Sequence, residues 1–117
     1  MTNLKYYNAN SIKNGYLYLL RERKKINPSE IVMLEADINY TTIYLQDGEK
    51  ILVSKTLKTL ESALNNSIFC RIHRKILINR NHILDYNIKL GEVLLTNHHV
   101  TFTSRRKKDD FDILMRS

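Results

Sequence analysis

The run Phe69-Cys70-Arg71-Ile72-His73-Arg74-Lys75-Ile76-Leu77-Ile78-Asn79-Arg80 carries four cations and a histidine, and no acid. Phe69, Ile72, Ile76 and Ile78 can fix it in a core, which leaves Arg71, Arg74, Lys75 and Arg80 at its polar side. Cations mounted on a rigid β framework suit a polyanion such as the backbone of double-stranded DNA. An edge strand kept soluble by Lys and Arg has the same look. A second run, Ser104-Arg105-Arg106-Lys107-Lys108, shifts the balance towards binding. Ser104 suits a helix N-cap, and Phe111, Leu114 and Met115 give that helix an apolar face. A helix built for its own stability places acids first and bases last. This one places four bases first and Asp109, Asp110 and Asp112 after them. Unpaired N–H groups with cations beside them form a phosphate site. The plainer alternative is that the aspartates neutralise the neighbouring bases.

Composition narrows the classes. A chain of 117 residues suits one modest core, and 43% hydrophobic content excludes a wholly disordered chain. The net charge is +7, and removing the eight cations of the two runs leaves −1. The basicity is therefore local, which points to a binding surface for nucleic acid, an acidic protein or an anionic membrane. A single cysteine, Cys70, excludes an intrachain disulfide and gives no metal-ligand pair, which fits a reducing compartment. No apolar run approaches the roughly 20 residues of a membrane span, and the N-terminus has no secretion signal. A cytoplasmic protein is expected. Catalysis has little support: three glycines, no nucleophile elbow and no metal spacing suggest no enzyme, no cofactor and no small-molecule substrate. His98-His99 lacks a third ligand nearby in sequence.

The elements that must position the cations read as mainly β. Residues 1 to about 15 are polar and Asn-rich and read as a loose arm. Tyr16-Leu17-Tyr18-Leu19-Leu20 has strand composition, and 21–25 is a charged turn. Asn27-Pro28-Ser29-Glu30 signals a turn or helix start. Strands follow at 31–36 and 41–46, with a break at 37–40 that contains Asn39 and Tyr40. Asp47-Gly48 is a hairpin turn, and 50–54 is the returning strand. From 56 to 64 the period changes: Leu57, Leu60 and Leu64 share one helical face. The basic run is expected to lie extended as far as a turn at 79–81. Strands at 83–90, 93–96 and 100–103 precede the C-terminal helix. The sum is a β-rich sandwich or open barrel with one short mid-chain helix and a short C-terminal helix.

Several of these motifs stand together in a family. Leu34-Glu35-Ala36, Asn39-Tyr40, Ile43-Tyr44-Leu45-Gln46-Asp47-Gly48, Ser54-Lys55-Thr56-Leu57, Leu60-Glu61, Phe69-Cys70-Arg71-Ile72-His73-Arg74, Asn79 and Ser104-Arg105-Arg106 occur in that order. Over about residues 26–115 the chain resembles the LytTR (LytR/AlgR-type) DNA-binding domain, the output module of many bacterial response regulators in two-component systems. The resemblance implies an elongated set of antiparallel β-sheets that presents loops to successive major grooves. Base contacts in that family match the loop at Asn39-Tyr40, Arg74 and Arg105. Arg can pair with guanine and Asn with adenine through two hydrogen bonds each. Lys75, Arg106 and Lys108 suit phosphates, and Arg71, His73, Asn79, Arg80 and Lys107 complete the expected DNA-binding set. Two protomers on a repeated site are implied as well. The chain departs from the pattern at Lys75, where a small hydroxyl residue is common, at Ile76, where an aromatic is common, and at Asn97-His98, in place of Asn-Gly. Residues 1–25 stand where a receiver domain would precede the DNA-binding domain at 26–117. A stand-alone member and an output piece of a longer regulator both fit that arrangement.

Plainer roles compete at several positions. His73 within its apolar frame suits a hydrogen-bonded structural histidine better than a base reader, Tyr40 suits loop support, and Glu35 a structural pairing. As a whole, the chain is expected to read duplex DNA in transcription regulation. The alternative is a protein-interaction module that pairs with a membrane protein or a larger regulator. Single-stranded RNA is a third possibility, but the stacking aromatics of an RNA-binding sheet are missing as a pattern.

Overall fold

Ile31, Val32, Met33 and Leu34 are all fully buried. A strand with one covered face alternates, so a continuous apolar run needs cover on both faces. The computed structural model describes residues 4–7, 11–13, 16–19 and 24–116, with side chains from 25 to 116, and it supplies both covers.

The strands, in chain order, are β1 (Leu4–Tyr7), β2 (Ser11–Lys13), β3 (Tyr16–Leu19), β4 (Lys24–Ile26), β5 (Ile31–Asp37), β6 (Tyr40–Leu45), β7 (Lys50–Val53), β8 (Phe69–His73), β9 (Ile76–Asn79), β10 (Ile83–Asn87), β11 (Glu92–Leu95) and β12 (Val100–Phe102). The helices are α1 (Leu57–Ala63) and α2 (Arg105–Arg116). The main sheet has the order β1-β7-β6-β5-β9-β8, and two three-stranded sheets have the orders β10-β11-β12 and β2-β3-β4. Every pairing is antiparallel except that of β1 with β7. The architecture is thus mainly β with a mid-chain and a C-terminal helix.

On one face of the main sheet, Leu57, Leu60 and Leu64 of the α1 segment pack on Ile31, Leu34, Ile43 and Leu77. Thr56 caps α1 by accepting the Thr59 N–H. On the other face, Val93 and Leu95 of β11 and Phe111 of α2 cover Val32, Met33, Ile72 and Ile78. β5 lies mid-sheet between these layers, which is why its run does not alternate.

Three expectations change. The N-terminal arm includes strands, with β1 paired in register to β7 and β2 paired to β3. Much of the charged turn at 21–25 lies outside the described residues, and Lys24 and Lys25 belong to β4. The basic run is a hairpin, β8 and β9 with a turn at Arg74-Lys75, where a single extended segment was expected. The local cause is visible: the His73 Nδ1 accepts the Lys75 N–H at 3.1 Å, and a register shift between Arg71 and His73 bends the strand into the turn.

Two further hairpins, β6–β7 and β11–β12, follow one rule. Gly48 N–H reaches Leu45 O, and Leu45 N–H reaches Glu49 O, with Gly48 at φ 90. The pattern repeats at Leu95, His98 and His99, with His98 at φ 64. Each loop closes on a residue in the left-handed region, a role glycine fills without steric cost.

Candidate nucleic-acid interface

Arg71 is the brace of the basic hairpin. Its Nε donates to His73 O at 3.0 Å, and a terminal nitrogen donates to Arg74 O. Its other terminal nitrogen meets Glu61 of α1 at 2.6 Å. The planar fork thus holds two turn carbonyls and ties the turn to α1. Arg74 and Lys75 stand exposed at the tip, and neither forms a salt bridge among the described residues.

Two further segments converge on this tip. Ala36 N–H donates to Lys75 O at 2.8 Å, which sets the β5–β6 turn beside the hairpin. Asn39 and Tyr40 in that turn are exposed, as is Ile38. Ser104 N–H donates to Ile72 O at 2.8 Å and fixes the start of α2 against β8. The Ser104 Oγ accepts the Lys107 N–H at 3.2 Å, the cap expected of it. Arg105 and Arg106 follow, both exposed. An open groove of about 590 Å³ runs between α1, the hairpin and the start of α2. Lys58, Arg71, His73, Arg74, Arg106 and Lys107 face it, with Glu61 as its one carboxylate. Such a surface can hold a chain of phosphates, and its free Arg groups can reach base edges.

Other residues of the expected set lie elsewhere or are committed to the fold. Asn79 is 1% exposed; its side chain donates to Ile31 O at 2.9 Å and accepts the Asn81 N–H at 2.9 Å. It is a buried clamp between strands and cannot touch DNA. Arg80 sits at the opposite end of β9 from Arg74 and donates to Leu114 O at 3.3 Å. A cation there suits the carbonyl-rich end of α2, so its role is to complete the helix. Lys108 pairs with Asp112 at 2.9 Å, the neutralisation that the aspartate pattern allowed. Asp112 also accepts from the Tyr86 hydroxyl, and the two bonds, Tyr86 first, hold its carboxyl below the usual range. Burial, reinforced by Asp112, pushes the Tyr86 phenol up to about 12. Cys70 packs on the face of the main sheet that β11 and α2 cover, and burial pushes its thiol up to about 11 against the pull of Arg80. Glu35 accepts the Tyr44 hydroxyl at 2.9 Å, the structural pairing expected of it.

The family model of the LytTr DNA-binding domain matches residues 21–116. The chain belongs to the LytTR family. The LytTR fold is also shared with a solved structure, the LytTr DNA-binding domain of a Bacillus cereus protein described as a methyl-accepting/DNA response regulator. That match has a TM-score of 0.69 and 22% identity, and covers 79% of this chain and 86% of that one. Among curated proteins, none matches the chain. Among the described residues, no helix is long and apolar enough to cross a membrane, and no group of three His, Cys, Asp or Glu residues could hold a metal.

Two residues of this LytTR surface escape a reading by motif. Lys58 lies on a helix whose sequence signals only packing, and its approach to the basic hairpin is a tertiary fact. Ile38 reads as a strand-breaking loop residue; its exposure and backbone are visible only in three dimensions.

Proposed function

We propose that this LytTR domain binds duplex DNA in a sequence-specific manner, as a transcription regulator, through the end of the main sheet where residues 38–40, 74–75 and 104–107 meet. The observation that carries this reading is the convergence of three separate chain segments on one end, with exposed Arg74 and Arg105 on two of them. In this reading Arg74 and Arg105 pair with bases in successive major grooves. Asn39 reads or buttresses in the loop, with Tyr40 as its support. Lys58, Lys75, Arg106 and Lys107 contact phosphates. His73 supports the hairpin through its Nδ1. Two protomers occupy a repeated site about one helical turn apart. A response-regulator role in a two-component system follows from the same family reading.

The test is selection from a random duplex pool at physiological salt. An enriched motif repeated at about one helical turn is expected. On that site Arg74→Ala and Arg105→Ala each cost about 1–3 kcal/mol, and much less on scrambled DNA. Equal losses on both duplexes would remove the base-reading assignment. Lys107→Ala weakens all duplexes alike and lowers the salt slope by about one. Light scattering with the repeat-bearing duplex measures the number of protomers.

A further inference from the structure

Ile38 is the first of the two residues between the paired ends Asp37 and Tyr40 of the β5–β6 hairpin. It is 91% exposed, and its φ is 45. Both facts work against the free protein. A β-branched side chain in the left-handed region meets the backbone, and hairpin turns of this kind ordinarily carry Gly, Asn or Asp. An isoleucine that is both strained and fully wet contributes nothing visible to the core. Its position supplies a use. Two residues before it, Ala36 is hydrogen-bonded to Lys75 at the tip of the basic hairpin. The surrounding groups Asn39, Tyr40, Arg74 and Lys75 are polar or cationic, suited to phosphates and to base donors and acceptors. The major groove presents one feature that such groups cannot recognise, the 5-methyl of thymine, which an apolar side chain contacts directly.

We infer that Ile38 is a specificity-determining residue that packs on a thymine methyl group in the major groove. The inference rests on the proposed reading of bases from this end of the sheet.

The experiment takes the selected duplex and replaces each thymine in turn with deoxyuridine, which lacks only the methyl. Binding is measured for the wild-type chain, Ile38→Ala and Ile38→Gly at one salt concentration. The wild type is expected to lose roughly fourfold in affinity at one particular thymine, the worth of one buried methyl. Ile38→Ala should bind the unmodified site with a similar loss and show no further loss at that deoxyuridine, because the two changes remove one contact. Ile38→Gly should bind as poorly while unfolding at higher urea, since the strain is gone. Indifference of the wild type to every replacement, or unchanged deoxyuridine sensitivity in Ile38→Ala, overturns the inference. If Arg74→Ala and Arg105→Ala still lose preference for the site in that case, base reading survives and only Ile38 is reassigned. If those two lose equally on scrambled DNA, or no site is enriched, both readings fall.

Discussion

Arg71 and Arg74 stand three positions apart and have opposite duties. Arg71 spends its guanidinium on His73 O, Arg74 O and Glu61, so it shapes the loop that Arg74 presents. Arg71→Ala should therefore lower stability by about 1–2 kcal/mol and weaken DNA binding on every site, because the hairpin tip loosens. Arg71→Lys should not restore either property, since an ammonium cannot hold two carbonyls and a carboxylate in one plane. Chemical denaturation and binding to matched and scrambled duplexes check both. Asn79→Ala should cost about 2–3 kcal/mol, because it strands the buried Ile31 carbonyl and the Asn81 N–H. Affinity per folded molecule should stay as in the wild type, as a clamp away from the interface requires. At this scale the sequence was legible in type and illegible in duty. A basic, acid-free run announces an anion surface, but which arginine points outwards depends on a helix ten residues upstream. Asn79 belongs to the family motif, and nothing in its type says that it is buried.

Local pattern at the scale of elements was mostly sufficient. The changes of period at Leu57, the Ser104 cap and the turn at Asp47-Gly48 all depend on neighbours within four residues, and the structure has each of them. The hairpin at Arg74-Lys75 escaped because it carries no glycine, proline or asparagine. Its turn is made by a histidine ring and an arginine fork in place of permissive backbone. The 95–99 loop is the converse case, with His98 in a glycine's position. His98→Gly should raise stability by about 0.5–1 kcal/mol, the left-handed penalty less the added freedom of the unfolded chain. The shift of the urea midpoint measures it. For α2, the basic first turn is offset further along, where Asp112 receives Tyr86 and Lys108. The Tyr86 hydroxyl first, and then Lys108, hold the folded-state carboxyl of Asp112 below its ordinary value, so its contribution is complete above that ordinary value and is lost as the pH falls from there through the depressed folded one. Denaturation midpoints of the wild type should drop as the pH falls below the ordinary aspartate range, and Asp112→Asn should flatten that limb while being weaker at pH 7.

The non-local pairings of the whole molecule lay beyond what periodicity could give. Hydrophobic pattern marks β5 as buried on both faces, but not that β9 takes the place beside it, more than forty residues later. The same holds for β1, which closes against β7. The position of β5 between β6 and β9 has a kinetic consequence. The β5–β6–β7 meander is built from neighbours in sequence and can form as soon as residue 53 has emerged from the ribosome. The far edge of β5 must then wait, with its apolar run Ile31–Leu34 unpaired along that side, until residues 76–79 have also been made and the β8–β9 hairpin has docked. Such an open, apolar strand edge is the usual site of wrong pairing between chains. The basic hairpin proposed to carry Arg74 to DNA is thus also the piece that closes the sheet during synthesis, and a ribosome pause between residues 53 and 76 would prolong the interval in which nascent copies can join edge to edge.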